Sequence, residues 1–554
     1  MNTVLFKNFD KIKKESWDKL VYSSSHNTIF QTLEWNRAWW ESYSSSNELF
    51  IIFIVSNEEL EAIAPLYIHI YNKKRVLKFI GTGRSDYLDF IYIQDKPESL
   101  FALLKFIDIK KHMWDETAFD NILSESRTNG LLKDYSKITN LKLSLYSSKP
   151  CPILEIDDDK NILHQITNKK HLVTLEKQIE KKGKLEIIHL YDKDRILDYL
   201  NIFFEQHINR QSTANISSLF LDENTRNFYK RFLVSLSENK NIIFTVINCN
   251  KTPIAFHLGF VFNKTFYFYK PSFNISWFRF SPGQLLLKKL FEYIIQSDIN
   301  VLDFGSGEDQ YKNRFSNKEQ TINSYKIHKT FISAQFFNLA SSLNKNKLAQ
   351  KIIDQFKNIG PTKTLTNVFK RIFSCIFNIK EIFLYKVKDR SKIEYTPRSV
   401  RETITIREVG ISDLFNLDHF ESNEKRNSYI HKSFQRYKDD QRCLGAFKHD
   451  KLSAIAWIKT NNSITISETD TIINNIAYCH TVNNCLTVPK YRNMGLYKLL
   501  LEEITKTYES NEIYIYCETK NIASIKGIEQ FFNLLYRLYR LRIFGISFKI
   551  KLNA

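Results

Sequence analysis

Glycine is scarce in this chain, 14 in 554 residues, so the two places where glycines gather carry information. Cysteine is scarce too: Cys151, Cys249, Cys375, Cys443, Cys479, Cys485 and Cys517 are odd in number, scattered and without a Cys-x-x-Cys pair. This spacing argues against a disulfide framework and against structural zinc. His480 has no partner at metal-ligand spacing and reads as a core residue, so no metal is expected. Long apolar runs are missing as well. The longest, Leu49 to Val55, cannot cross a bilayer core about 30 Å thick, and the start, MNTVLFKNFDKIKKE, lacks the apolar centre of a signal peptide. A cytoplasmic location fits, with peripheral attachment to the inner membrane surface left open.

What is present points to folded domains. Hydrophobic residues make up 43% of the chain and aromatics 14%, enough for packed cores. A chain of 554 residues is too long for one core and implies three or four folding units. The net charge of +20 favours anionic partners: coenzyme phosphate, nucleic acid or an anionic membrane. The excess lysine is spread along the chain, as a compositional bias would be.

Residues 49–93 read as short strands separated by turns, preceded by the helical stretch TIFQTLEWNRAWWESY, whose Trp35, Trp39 and Trp40 should pin it to that sheet. A similar order returns later: a long helical stretch over about 160–240, then IIFTVINC, PIAFHLGFVF, TFYFYKPSF, a helix and NVLDFG. The expected organisation is a first α/β half over 1–160, a second over 161–334, a basic helical connector over 335–398, and a further mixed α/β unit over 399–554.

The first glycine site is LTVPKYRNMGLYKLLLEEI. A strand ending at Val488 turns through Pro489 to Gly495 into an amphipathic helix, whose first amides are unpaired within the helix and lie at its positive end. Such a turn suits a pyrophosphate, and Gly495 lets the phosphate approach the main chain. The sequence here resembles the acyl-CoA loop of the GNAT superfamily, Arg/Gln-x-x-Gly-x-Gly/Ala. Arg492, Asn493, Met494, Gly495 and Leu496 match it, and Leu486, Thr487 and Val488 of the preceding strand are expected to bind the cofactor with them, while Tyr497 replaces the final small residue, a departure that would crowd the phosphates. Asn521 and Ser524 match the Asn-x-x-Ser that follows the fifth GNAT strand, which by resemblance puts Asn521 near the pantetheine arm. The C-terminal part thus resembles a single GNAT N-acetyltransferase domain.

The second site is RFSPGQLLLKKLFEYIIQSDINVLDFGSGEDQYKNRF. Ser281 is a favoured N-cap and Pro282 a favoured first helical residue, so the amide of Gly283 forms a second anion seat. With FQTLEWNRAWW, SDYLDF, FFEQHINR and PIAFHLGF, this region resembles the CelD/BcsL group of acetyltransferase-like proteins, related to FemAB. The resemblance implies an overall fold of tandem GNAT-like halves, then the linker, then a third GNAT domain. It also implies a cleft in or near the second half, and a role in modifying sugars, polysaccharide or cell-envelope precursors. For that cleft the candidate catalytic residues are His207, Arg210, Asp303, Glu308, Tyr311 and Lys312. An amine must lose a proton to attack a thioester, and His207 is the first choice of base. Asp86 and Asp89 of SDYLDF line the same cleft by resemblance. A turn at Gly81 and Gly83 reads as a sheet turn.

The expected activity is acyl transfer from acetyl-CoA or another acyl-CoA to an amine, with no metal. Two other readings stay open: an aminoacyl transferase using charged tRNA, and a non-catalytic GNAT-like module positioned on envelope-synthesis enzymes.

Overall fold

The computed structural model describes the chain except residues 25, 46, 72, 73, 140, 237–240, 308, 330–376, 396–402, 418, 419, 475, 477, 509–511, 544, 545 and 554. It divides into two compact units, Met1–Arg210 with Ser218–Ala349, and Gln211–Ser217 with Gln350–Ala554.

The first unit is built on one large mixed sheet. Its strands are β1 (Asn2–Phe6), β2 (Asn47–Ser56), β3 (Glu59–Tyr71), β4 (Lys74–Phe79), β5 (Ile91–Tyr92), β6 (Glu116–Leu123), β7 (Lys142–Glu155), β8 (Leu185–Leu190), β9 (Ile242–Cys249), β10 (Thr252–Phe262), β11 (Thr265–Phe273), β12 (Val301–Asp303) and β13 (Lys318–His328). The order is β1-β2-β3-β4-β6-β13-β7-β12-β11-β10-β9-β8, with β5 paired to β3. The apolar run LFIIFIV is continuous because β2 is covered on both faces. Leu49, Ile51 and Phe53 enter one core cluster, while Phe50, Ile52 and Ile54 enter another.

The two halves exchange their last strands. β7 closes the first half in sequence yet pairs with β12, and β13 closes the second half yet pairs with β6. In each half one parallel pair stands among antiparallel ones, β4 with β6 and β11 with β12. Trp35, fully buried, belongs to the joint between halves as much as to its own sheet. Its ring lies edge-on to Phe228 at 4.9 Å and Phe232 at 4.7 Å, and its Nε1 donates to Ser85 Oγ at 2.8 Å. Trp35→Phe keeps most of the ring contact and leaves Ser85 without its donor; thermal unfolding should show a loss of about 1–2 kcal/mol.

The expected long helical stretch over 160–240 is corrected. Helices Asn161–Thr167, Lys170–Glu180, Lys193–Thr213 and Glu223–Ser235 are interrupted by β8. Among the described residues this edge strand pairs only with β9 and is half-exposed, so its apolar pattern is weak in sequence.

The second unit has strands β14 (Phe377–Val387), β15 (Ile404–Glu408), β16 (Arg442–Lys448), β17 (Lys451–Asn461), β18 (Ile464–Ile466), β19 (Thr471–Ile473), β20 (Cys479–Thr487), β21 (Ile513–Glu518), β22 (Phe532–Ile543) and β23 (Ile546–Asn553). Its main sheet runs β15-β16-β17-β20-β21-β14-β22-β23, with β20 and β21 parallel. The expected connector over 335–398 is corrected in its later part, because β14 lies inside this sheet between β21 and β22. Its partners are more than a hundred residues downstream, so a reading along the chain sees no sheet there. The earlier part of the connector lies outside the described residues.

Candidate functional site

β20 and β21 pair in parallel only at His480↔Ile513, Thr481↔Tyr514 and Val482↔Ile515. Beyond Val482, β20 continues to Thr487 with its other edge on β17, and Asn484 adopts φ 45°, so the two parallel strands part. A cavity of about 520 Å³ opens there, lined by Cys485, Leu486, Thr487, Tyr491, Arg492, Asn493, Gly495, Leu496, Tyr497, Asn521, Ala523 and Ser524.

The turn into the helix Leu496–Thr507 is shaped by two left-handed residues, Asn493 at φ 61° and Gly495 at φ 72°. A Cβ on Gly495 would meet nothing within 4 Å, so the space over the helix start is open. Arg492 and Asn493 are exposed at its mouth. Tyr497 does not crowd that space. Its ring lies against Gly527, where an added Cβ would come within 3.0 Å of it, and its hydroxyl sits beside Ser524 and Cys485. The small residue displaced from 497 reappears at 527. Burial, with the Cys485 and Cys517 thiols beside it, holds the Tyr497 phenol well above its ordinary pKa, so the phenol keeps its proton. Asn521 caps the short helix Ile522–Ile528 by accepting from Ser524 N–H at 3.2 Å, which leaves its side-chain amide N–H₂ for another partner.

Of the residues read from sequence, Leu486, Thr487, Arg492, Asn493, Gly495, Leu496, Tyr497, Asn521 and Ser524 surround this one cavity. Val488 and Met494 do not line it. Val488 is buried, with its N–H on Ser453 O, and Met494 points outward with its sulfur 3.6 Å from Lys448 Nζ. Cys485, Tyr491 and Ala523 were not anticipated; Cys485 follows from strand alternation with Thr487, and Tyr491 lies within the quoted turn.

In the first unit, Asp303 sits at the last parallel pair, Tyr267↔Asp303, where β11 and β12 separate. Its Oδ1 accepts from Tyr87 Oη at 2.9 Å and from Gly305 N–H at 2.6 Å. Burial pushes this carboxyl up to about 7, with the Asp86 carboxylate adding to the rise and both donors opposing it. Asp86 lies against Gly305, whose φ of 67° and missing Cβ make room for it. Tyr87 comes from the first half, so this cluster is built by both halves. Neither Tyr87 nor Lys270, whose ammonium stands 3.8 Å over the Tyr269 ring, was singled out from sequence. Tyr87 lies between the two aspartates of SDYLDF that were.

Several expected residues here have other duties. His207 is corrected as a base: it is buried on the apolar side of its helix, edge-on to Phe220 at 4.8 Å, with Nδ1 2.9 Å from Ser218 Oγ. Burial lowers its pKa to about 3, with Arg210 and Lys270 adding to the effect, so it is a weak base at neutral pH. Arg210 donates to Pro271 O at 2.8 Å and covers the Phe273 ring. Lys312 holds the loop by donating to Ser306 O at 2.8 Å, with Asp309 3.5 Å away. Tyr311 is largely buried beside Phe268, its phenol pushed up to about 12 by burial and by Asp309. Glu308 lies outside the described residues. Ser281 is corrected as a side-chain cap, since it takes a left-handed φ of 45° and makes no cap hydrogen bond through Oγ; its carbonyl accepts from Gln284 N–H instead. Gly283, the second residue of the helix Pro282–Ile295, is partly exposed, 3.4 Å from Phe273 at its would-be Cβ. Asp89 accepts from Thr128 Oγ and Phe90 N–H and anchors the helix Arg127–Ile138.

Residues 168–313 match the family described as Acetyltransferase (GNAT) domain. The chain carries a GNAT acetyltransferase domain. It is an acyltransferase, and GNAT domains take acetyl-CoA or another acyl-CoA as donor. No curated protein matches the chain. Among solved structures it is similar to FemX, at 11% identity and TM-score 0.45 over 62% of this chain and 100% of that one. It is also similar to the C-terminal domain of a putative lysylphosphatidylglycerol synthetase from Agrobacterium fabrum, at 11% identity and TM-score 0.36 over 59% and 95%. A third is glucosamine-6-phosphate N-acetyltransferase from Arabidopsis thaliana, at 17% identity and TM-score 0.17 over 23% and 90%. Among the described residues the chain has no cluster of three or more His, Cys, Asp or Glu placed to hold a metal, and no helix long and apolar enough to cross a membrane.

Proposed function

We propose that this protein moves an acyl group, in the simplest case acetyl, from acyl-CoA to the amine of an amino sugar or cell-envelope precursor, with the donor held in the second unit. The observation that carries this reading is the cavity at the parting of β20 and β21, with the open amide turn at Asn493–Gly495 at its mouth. Bound acyl-CoA would supply a thioester carbonyl already activated toward an amine. The chain's own residues do the rest. Amides at the helix start and Arg492 receive phosphate oxygens. The unpaired edge of β20 and the side-chain N–H₂ of Asn521 offer polar partners to an amide-bearing arm. The Tyr497 hydroxyl, which lines the cavity, can donate a hydrogen bond to the leaving sulfur.

Calorimetric titration of acetyl-CoA into the full chain tests the reading. Arg492→Ala removes one exposed charge-assisted contact, and affinity should fall by about 1 kcal/mol, roughly fivefold. Unchanged affinity would take Arg492 out of the site. A salt-sensitive affinity for tRNA, with no acetyl-CoA binding, would move the reading to aminoacyl transfer.

A second reading places chemistry in the first unit, with Asp303 as the base that takes the amine's proton. It is favoured by a carboxyl poised near neutrality where β11 and β12 part, within the segment that matches the GNAT family.

A further inference from the structure

The strands β14, β22 and β23 lie side by side at one end of the second unit's main sheet, with β23 at the edge. Cross-strand partners share a face, so the registers Ile379↔Leu541↔Phe548, Glu381↔Tyr539↔Ile550 and Phe383↔Arg537↔Leu552 stand in three rows on one side of the sheet. The opposite side is closed: Ile382, Leu384 and Leu538 are buried with Ile464 and Ile466 of β18, and Arg540 pairs with Asp470 at 2.8 Å. Farther along β14 the first side is closed too, where Tyr385 and Val387 are buried with Leu496 and Leu500 of the helix Leu496–Thr507. Beyond Phe383 that cover stops. Ile379 is 59% exposed, Phe548 51%, Ile550 52% and Leu552 49%.

Single exposed apolar side chains are ordinary, but here every second residue of an edge strand is one, and the patch continues onto the next two strands. A contiguous patch of this kind marks a contact surface. Its charge says what the surface meets. In sequence β22 and β23 carry Arg537, Arg540, Arg542, Lys549 and Lys551 and no acidic residue. Antiparallel pairing of β23 with a second copy about Ile550 would set Lys549 against the other copy's Lys551, and like charges directly opposite each other are destabilising. Lysines on an edge strand work against such pairing. An anionic bilayer, by contrast, takes up the apolar side chains and attracts the lysines, whose stems let the ammonium groups reach the headgroups. Tyr539, in the middle row, has the apolar ring and polar tip that suit the headgroup level.

We propose that the bare face of β14, β22 and β23 docks this protein on an anionic phospholipid bilayer, with Ile379, Phe548, Ile550 and Leu552 entering the headgroup boundary and Lys549 and Lys551 meeting lipid phosphates. The face adjoins the cavity described above. Thr519 donates to Glu381 through its N–H at 3.4 Å and its Oγ1 at 3.3 Å, two residues before Asn521 in the cavity wall. A docked chain therefore keeps that wall beside the lipid. The docking stands whether or not the cavity holds acyl-CoA.

Flotation of the full chain with phosphatidylglycerol vesicles and with phosphatidylcholine vesicles tests the proposal. Partition should be about tenfold stronger on phosphatidylglycerol and should weaken as salt is raised. A net charge of +20 would by itself give that preference, so the variants decide. Phe548→Thr combined with Ile550→Thr removes apolar area at two exposed positions while keeping a strand-favouring residue at each, and should lower the partition on phosphatidylglycerol about tenfold or more at an unchanged unfolding temperature. Lys551→Gln should lower it about fivefold and leave binding to phosphatidylcholine as it was. In Tyr539→Trp, emission should shift to the blue when phosphatidylglycerol vesicles are added. No binding to phosphatidylglycerol, or binding that ignores the paired threonine substitutions, overturns the proposal. If the paired variant fails to fold, the Tyr539→Trp emission decides, and an unshifted spectrum overturns it. Light scattering that finds the parent a dimer and the paired variant a monomer overturns it as well, because the face then belongs to a second copy.

Discussion

Gly495→Asp is expected to weaken acetyl-CoA binding to the full chain about ten- to hundredfold, whereas Gly495→Asn should leave it within about threefold. The two substitutions are a matched pair. Residue 495 has φ 72°, a conformation that Asn and Asp both tolerate better than other side chains, so backbone strain is nearly equal in the two variants. A Cβ here meets nothing within 4 Å, so neither side chain is forced into the core and the unfolding temperatures should agree. The carboxylate of Asp, however, stands over the unpaired amides at the start of the helix Leu496–Thr507. It would satisfy them itself and repel a pyrophosphate. At about 4 Å two unit charges interact by about 1 kcal/mol in water and by more where solvent is partly excluded, which sets the lower end of the range. Equal affinities in the two variants would mean that the turn does not hold phosphate, whatever occupies the cavity beneath it.

Asp303→Asn is expected to raise stability above neutral pH and to leave it unchanged near pH 4. The carboxyl is raised from its usual value of about 3.9 to about 7, chiefly by burial. A raised carboxyl means that the folded chain binds a proton which the unfolded chain has already released, so the folded state loses stability as pH climbs from about 4 to 7. Above that window the loss is complete and amounts to about 4 kcal/mol at most. The Asn Oδ1 can accept from Tyr87 and Gly305 as Asp does, so the variant keeps both contacts while losing the titration. Thermal unfolding of both proteins between pH 4 and 9 gives the difference directly: curves that separate as pH rises support the assignment, and parallel curves refute it. In the reading that makes Asp303 the base, the same variant should also lose about a hundredfold or more in turnover, and the parent should show an activity limb near pH 7.

Local chemistry was the legible part. The turn residues Arg492, Asn493 and Gly495, and the cap at Asn521, could be placed because each works through its own backbone or that of near neighbours: a left-handed φ, a helix start, a side chain bonded three residues on. The apolar run of β2 and the Trp-rich helix were legible for a similar reason, since burial on two faces leaves an unbroken apolar run and burial on one stripe a periodic one. His207 misled because an imidazole in an amphipathic helix looks the same in sequence whether it faces a cleft or packs under Phe220. Ser281 misled because Ser before Pro is a favoured cap, yet here the chain arrives with a left-handed φ and the hydroxyl cannot reach the amides. β14 was invisible because everything that makes it a strand lies far downstream.

The sequence by itself determined the two α/β regions, the glycine-marked turns and the amides they expose, because these depend on spacing, propensity and backbone freedom within a few residues. Only the tertiary structure decided the exchange of β7 and β13 between halves, the meeting of Tyr87 with Asp303, and the room that Gly527 makes for Tyr497. Each of these joins residues from distant parts of the chain, and the energy that selects them, burial of apolar area set against the cost of unpaired polar atoms, exists only once the strands have been brought side by side.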